Sequence, residues 1–411
     1  MATPALPPDF FVKPRHFEFR MALLYAAIFL PVGVHLPYFP LWLEESGFDA
    51  NEIAFLLSAP MFLRLATTPF ITTLADRVSD RANVLVATVA CTAALSLGYL
   101  LEPTYTLILV ISILIQMVWT PHAPLADSLA LSGVRRWGID YPRIRKWGSI
   151  AFLTANVGGG AILGFTGAAA VPFIITAGLS VAVVASLFTP RLGRPRQPSP
   201  LSAAKLKDAP GSMFTRRFLL FISGAALINA SHGFLYAFGT IYWKSIGITE
   251  SAIGMFWACA VLAEIGLMLL YRRYLGRLSA PAVLAVAGCA ALLRWVLFPV
   301  AGALGGGTVA FLAVQSLHSL STGLILVGVP KMIAELVGEE RMGAAQGLVF
   351  FGNGLAMGVV TLASGPLYAG LGAGGFYVMA ATALAGLGLI GLVSLSPRAQ
   401  APEERSTSPH R

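Results

Sequence analysis

The sequence predicts an all-α polytopic membrane protein with twelve transmembrane helices, arranged as two pseudo-symmetric six-helix bundles. Three observations carry that expectation. Charged residues make up 11% of the 411 positions and hydrophobic ones 56%, with a mean hydropathy of +0.76, whereas a soluble domain carries about 25% charged residues. Apolar stretches of the ~20 residues that cross a bilayer as a helix recur at 18–43, 51–74, 82–101, 105–131, 147–168, 170–189, 217–243, 251–271, 281–300, 306–330, 343–370 and 373–395. Sliding the chain against itself by 200 positions keeps apolar blocks and polar breaks in phase. That offset sets Gly33 on Gly233, Gly47 on Gly247, Arg77 on Arg277, Ser79 on Ser279 and Arg64 on Glu264, the mark of an internal duplication.

In chain order, residues 1–17 form a polar tail and 18–189 the first bundle. The segment 190–216 is a linker, 217–395 the second bundle and 396–411 a second tail. The linker is rich in Pro and Ser and carries Arg191, Arg194, Arg196, Lys205, Lys207 and Arg216 against the single acid Asp208, with Arg217 just beyond. A segment this polar stays outside the hydrocarbon. All of the 28 lysines and arginines except Lys244, Arg64 and Arg294 fall in the tails, the linker or alternate loops. Positive charge collects on the cytoplasmic side, so both termini and the linker are expected there, in a multi-pass protein of the cell (inner) membrane. The same placement argues that the formal charge of +9 serves topology rather than nucleic acid.

The first apolar run is too long for a cleavable signal and is expected to remain as an anchor. Pro31, Pro37 and Pro40 in the first span, and Pro121 and Pro124 in the fourth, predict kinks or unwinding against protein or a water-filled cavity. Gly158, Gly159, Gly160 and Gly164 in the fifth span and Gly347, Gly352, Gly354 and Gly358 in the eleventh predict close helix packing. Cys91, Cys259 and Cys289 lie in apolar spans without ligand spacing and read as packing residues. No phosphate-cradling loop, nucleophile motif or metal spacing is present. An ATP-driven pump is therefore not expected.

A charge at mid-bilayer costs ~2.5–3.5 kcal/mol on insertion scales and usually serves a cavity or a partner. Arg64, Asp127, Glu264 and Arg294 are such charges, with His35, His122, His232 and His318 as titratable neighbours. Glu264, Arg294 and His318 lie well inside three successive spans, so they can converge at similar depth. His35, His122 and His232 are expected to be hydrogen-bonded helix contacts. Trp119, Trp147, Tyr236 and Trp257 either line a cavity or pack. A lone cation such as Arg64 facing a central cavity suits an anionic substrate, and pairing with Asp127 or Glu264 is the alternative.

Six helices, a basic linker and six related helices resemble the major facilitator superfamily. Its members carry G-x-x-x-D-R-x-G-R-K after the second helix, where this chain has Thr72-Thr73-Leu74-Ala75-Asp76-Arg77-Val78-Ser79-Asp80-Arg81. Asp76, Arg77 and Arg81 match, while Thr72, Ser79 and Asp80 depart from the pattern. The resemblance implies a gate at the cytoplasmic end, a carboxylate latch that breaks on switching. A solvated, topology-setting loop is the alternative. The stretch Tyr141-Pro142-Arg143-Ile144-Arg145-Lys146-Trp147-Gly148-Ser149 is similar to the Y-G-R-x-R-x-W-G-S signature of phenylpropionate-permease-like transporters and to the G-R-x-R-x-F-G stretch of lactose permease, with Pro142 in place of glycine. Asp127 precedes Arg145 by the spacing that separates the lactose-permease sugar-binding acid and arginine.

By that resemblance Asp127 and Arg145 bind substrate, with Arg143 in support and Arg64 added on the cavity argument. The alternative for Asp127 and Arg145 is an ion pair stitching two helices. Glu264, Arg294 and His318 match the Glu, Arg and His that couple proton movement to substrate in lactose permease. Ser321 stands where that family has a second acid. The expected function is a proton-coupled symporter that imports a small organic solute, an aromatic carboxylate of the 3-phenylpropionate type, by alternating access. A sugar or nucleoside symporter, a proton-coupled exporter and a non-transporting substrate sensor are the alternatives, and a membrane-embedded enzyme is not expected. No cofactor is expected, the proton gradient being the energy source. The expected partners are substrate, proton and bilayer, without nucleic acid or an obligate protein partner.

Overall fold

The computed structural model describes residues 12–193, 214–338 and 341–396. Linker residues Arg194, Arg196, Lys205, Lys207 and Asp208 and tail residues Arg398, Arg405 and Arg411 lie outside the described residues. Among those described there is no strand. The helices are α1 (Phe17–Glu45), α2 (Ala50–Arg77), α3 (Arg81–Ser96), α4 (Tyr105–Trp119), α5 (His122–Trp137), α6 (Tyr141–Thr166) and α7 (Val171–Leu187) in the first half. The second half has α8 (Arg216–Ala230), α9 (Gly233–Ser245), α10 (Glu250–Tyr274), α11 (Ala280–Ala303), α12 (Gly307–Ser316), α13 (Leu324–Leu336), α14 (Met342–Leu371) and α15 (Gly375–Leu395).

Eleven helical stretches are long and apolar enough to cross a membrane. The last, Met342–Leu395, is divided by the 3₁₀ turn Gly372–Gly374, where Gly372 has φ +52°. The helices therefore make twelve crossings. The fourth joins α4 to α5 through Thr120 and Pro121, where a break was expected from proline. α1 stays helical through Pro31, Pro37 and Pro40, so it does not unwind there. Breaks without proline appear instead in the seventh crossing, at Ser231–His232, and in the tenth, where the π turn Ser319–Gly323 separates α12 from α13.

The duplication is visible in local structure. Gly47 (φ +90°) and Gly247 (φ +83°) turn the chain after α1 and α9, a conformation that glycine adopts without strain. Asp49 then caps α2 in a capping box with Glu52, and Thr249 caps α10 through Ala252 N at 3.4 Å. Gly33 lets α1 approach α6, where an added Cβ would stand 2.6 Å from Phe152 O. Its counterpart Gly233 faces Met357 and Thr361 of α14.

The halves meet through α6 against α10 and α2 against α14. At the end carrying the Gly47 and Gly247 turns, the arginine-poor end, these crossings are tight. A Cβ on Gly254 would stand 2.3 Å from Asn156 O, and one on Gly365 would stand 2.8 Å from Ala50 O. Toward the arginine-rich end, Gly266 on α10 and Gly343 and Gly347 on α14 have nothing within 4 Å of an added Cβ. The helices pack closely at one end and part toward the other.

That arginine-rich end also moors the start of the linker. Arg20 donates to the carbonyls of Phe188 and Thr189, Arg136 to that of Leu192 at 3.0 Å, and Arg191 to the Asn83 side chain. Asp80, which caps α3 through Ala82 N at 2.8 Å, also accepts from Gly193 N at 3.0 Å.

Candidate substrate cavity and charged cluster

A cavity of about 310 Å³ lies between the halves, lined mainly by α1, α2 and the fourth crossing, with Tyr236 and Ala237 from α9 and Thr361 from α14. The lining is largely aliphatic and aromatic. Phe29, Val32, Leu36, Leu57, Met61 and Trp119 supply most of the apolar wall. The His35 ring stacks on Phe39 at 4.5 Å and meets Trp119 edge-on at 5.1 Å. Arg64 is the charged residue of the wall, and the described lining contains no carboxylate. Arg64 makes no ion pair among the described residues, so the alternative pairing with Asp127 or Glu264 is not formed.

Asp127 and Arg145 come together around one aromatic residue rather than as a pair. Asp127 Oδ1 accepts the hydroxyls of Tyr25 at 2.6 Å and Tyr141 at 2.8 Å. The Arg145 guanidinium lies over the faces of Phe29 at 4.2 Å and Tyr25 at 5.3 Å. Gly148 leaves room for it, since a Cβ there would stand 2.8 Å from Arg145 Nη1. Two hydroxyl donors and two ring faces stand where the alternative reading of Asp127 and Arg145 had an ion pair. Neither lines the cavity; Arg145 lies against Phe29, which does. Arg143 lies apart from the cavity, in an outer groove with Glu18, Phe19, Asp140 and Trp147.

The second cluster does assemble. Arg294, fully buried on α11, donates from Nη1 to His318 Nδ1 at 3.1 Å and from Nη2 to Gln315 Oε1 at 2.5 Å, with its guanidinium 4.6 Å over Trp295. His318 Nε2 lies 3.9 Å from Glu264 Oε2. Glu264 and Arg294 are thus bridged by His318 rather than paired directly. Gly323, in the π turn, admits Glu264, whose Cγ would lie 3.2 Å from an added Cβ. Ser321 bonds to His232 Nε2 at 3.0 Å.

Asp76 pairs with Arg81 within its own loop, Arg81 Nε and Nη2 both reaching Oδ1 at 2.8 Å. In this conformation the carboxylate is held by its neighbour in sequence, and Arg77 is exposed. At the opposite end Lys244 pairs with Glu250.

Sequence reasoning left out Gln116, Gln315 and Thr322, and took His35, His122 and His232 as helix contacts without placing them at the wall or the cluster. The two glutamines carried a usable signal, being polar residues in apolar spans near matching positions of the two halves. The histidines carried none beyond their residue type.

Twelve crossings in two related halves around a central cavity, with buried charge beside it, define a membrane transporter of the major facilitator superfamily. Within it the chain belongs to the MFS_1 like family, matched over residues 19–379. It is 26% identical to the probable 3-phenylpropionic acid transporter of Escherichia coli (strain K12) over 375 residues, covering 89% of this chain and 94% of that protein. It is 27% identical to the maltose permease of Geobacillus stearothermophilus over 285 residues, 67% of this chain and 69% of that protein. The fold superposes on the crystal structure of the nucleoside transporter NupG with a TM-score of 0.75 at 16% identity, covering 92% of this chain and 98% of that one. The family and fold are those of transporters, not enzymes.

Proposed function

We propose that this transporter is a proton-coupled symporter that imports a small aromatic carboxylate of the 3-phenylpropionate type by alternating access, in the inner membrane with both termini cytoplasmic. The observation that carries the proposal is Arg64, the charged residue in an otherwise apolar and aromatic wall of about 310 Å³. Small-molecule sites of about 300–1,000 Å³ combine such walls with a few orienting polar groups. A guanidinium placed there without a carboxylate partner favours a ligand that brings one. The aromatic ring of that ligand then packs among Phe29, Trp119 and Met61. The similarity to a probable 3-phenylpropionic acid transporter points the same way. Proton coupling is assigned to Glu264, with His318 Nε2 facing it at 3.9 Å and Arg294 as the buried cation behind His318. Arg145, held beside Tyr25 and Asp127, orders the cavity wall through Phe29. Asp76, Arg77 and Arg81 are assigned to the cytoplasmic gate.

The test is uptake of labelled 3-phenylpropionate by proteoliposomes under an inward proton gradient. Losing a charge-assisted contact in Arg64→Gln lowers kcat/KM by about 10- to 150-fold. The neutral amide 3-phenylpropionamide fails to compete. Competition by maltose or a nucleoside, with 3-phenylpropionate inert, would replace the aromatic acid with a sugar or nucleoside. Proton efflux on substrate addition would make the protein an exporter or exchanger.

A further inference from the structure

The break in the seventh crossing points toward the charged cluster. His232, 1% exposed, has Nδ1 at 3.2 Å from Ile228 O and 3.1 Å from Asn229 O. Carbonyls only accept, so Nδ1 carries the proton and Nε2 is an acceptor. It receives the hydroxyls of Ser321 at 3.0 Å and Thr322 at 3.2 Å. The Thr322 oxygen also lies 3.3 Å from His318 Nδ1, and its single proton serves one imidazole at a time. Arg294 already donates to His318 Nδ1, which leaves the His318 proton on Nε2, facing Glu264.

The same break reaches the cavity. One turn on, Tyr236 lines the wall, and its amide donates to His232 O at 3.1 Å. Ser231 Oγ accepts from Trp295 Nε1 at 2.9 Å, and the Trp295 ring supports Arg294. The groups that face His232 are therefore Tyr236 on its own element, Arg294 with Trp295 from α11, and Ser321, Thr322 and His318 from the tenth crossing. Glu264 of α10 stands behind His318. The π turn Ser319–Gly323 brings two adjacent hydroxyls to one imidazole, and such turns gather at functional sites.

We propose that His232 is a positioning residue that couples occupancy of the cavity to protonation of Glu264. This rests on the symport reading above. Substrate displacing Tyr236 shifts the Ser231–His232 break and releases the Thr322 hydroxyl to His318 Nδ1, in competition with Arg294. The His318 Nε2–H, which faces Glu264 Oε2 at 3.9 Å as a dipole and not as a hydrogen bond, then turns away, and Glu264 loses electrostatic support for its charged form. A proton from solvent adds to a Glu264 oxygen, and no bond of the protein is broken.

The experiment compares wild type, His232→Phe, Thr322→Val and His232→Gln in proteoliposomes, with 3-phenylpropionate, maltose and uridine as probes. Labelled counterflow reports binding and alternation, and probe-evoked proton uptake reports coupling. The infrared band of the protonated carboxyl that Glu264→Gln removes reports the site itself. In the phenylalanine and valine variants counterflow persists, while evoked proton uptake and the probe-induced band fall by about 5- to 150-fold, the range of a lost coupling. The glutamine, which restores an acceptor, recovers both. Wild-type proton uptake in His232→Phe and Thr322→Val overturns the proposal. So does parallel loss of counterflow and coupling without recovery in His232→Gln, which marks a structural role. Wild-type counterflow without proton uptake refutes the symport reading beneath it, and no counterflow with any probe refutes the transport of these substrate classes.

Discussion

Alanine at Gly160 tests how the arginine-poor end is closed. A Cβ there would stand 2.4 Å from Glu250 O on α10 and 2.4 Å from the Tyr38 hydroxyl. Neither atom has room to yield. The first is helix backbone, and the second is buried and donates to Asn156 O at 2.9 Å. An ordinary contact needs about 3.5 Å, so α6 and α10 must part by about 1 Å. Overpacking of this kind costs about 1–3 kcal/mol. The cost falls only on the conformation in which this end is shut, so the equilibrium moves by about 5- to 150-fold toward the state that opens it. Gly158, on the same helix, has nothing within 4 Å of an added Cβ and supplies the control. Spin labels on Thr166→Cys and Ser245→Cys, exposed at this end in opposite halves, report the separation once Cys91, Cys259 and Cys289 are replaced by serine. Double electron–electron resonance should show a longer-distance population growing in Gly160→Ala and not in Gly158→Ala. Distances that match wild type in a folded Gly160→Ala protein, or equal shifts in both variants, refute the reasoning.

Two further outcomes concern stability. Asp80→Ala removes both the cap on Ala82 N and the acceptor of Gly193 N. It should cost about 1–3 kcal/mol, read as a lower melting temperature and as faster amide exchange at Ala82 and Gly193. Tyr25→Phe takes one of the two hydroxyl donors from Asp127 Oδ1. Leaving that carboxylate half-satisfied should cost about 1–3 kcal/mol, and Asp127→Asn combined with Tyr25→Phe should fall short of the sum of the single losses by about 0.5 kcal/mol or more, since the pair acts as one unit.

The architecture was legible because its causes are local. Span length, the alternation of arginine between loops, and the matched turns at Gly47 and Gly247 are all written in short stretches of sequence. Convergence of Glu264, Arg294 and His318 was legible too, since a charge inside an apolar span needs a partner and three adjacent spans offered them. What stayed hidden depends on rotamers and register. Asp127 and Arg145 have the right spacing for a pair, yet Tyr25, more than a hundred residues away in the chain, donates its hydroxyl to Asp127 and offers its ring face to Arg145. Arg143 and Arg145 are two apart on one helix, so they point roughly 200° apart, one toward Tyr25 and Phe29 and the other toward the outer groove. The prolines of α1 do not unwind a helix packed against α6 and α7, whereas the breaks at Ser231 and at Ser319 have no proline to announce them.

The π turn in the tenth crossing has a consequence for anyone who aligns or edits this chain. A π turn closes i→i+5 instead of i→i+4 and so takes in one extra residue while the helix beyond it keeps its phase; in an ordinary α-helix the same residue would rotate everything that follows by about 100°. Deleting Leu320 would let Ser316 to Leu336 run as ordinary α-helix. Gly328 and Met332, which pack inward, would keep that face, but the widened turn that brings Ser321 and Thr322 to His232 would be lost. A relative that lacks this residue therefore aligns with a one-residue gap here and still turns the same side of α13 to the centre, without the wide turn that faces His232.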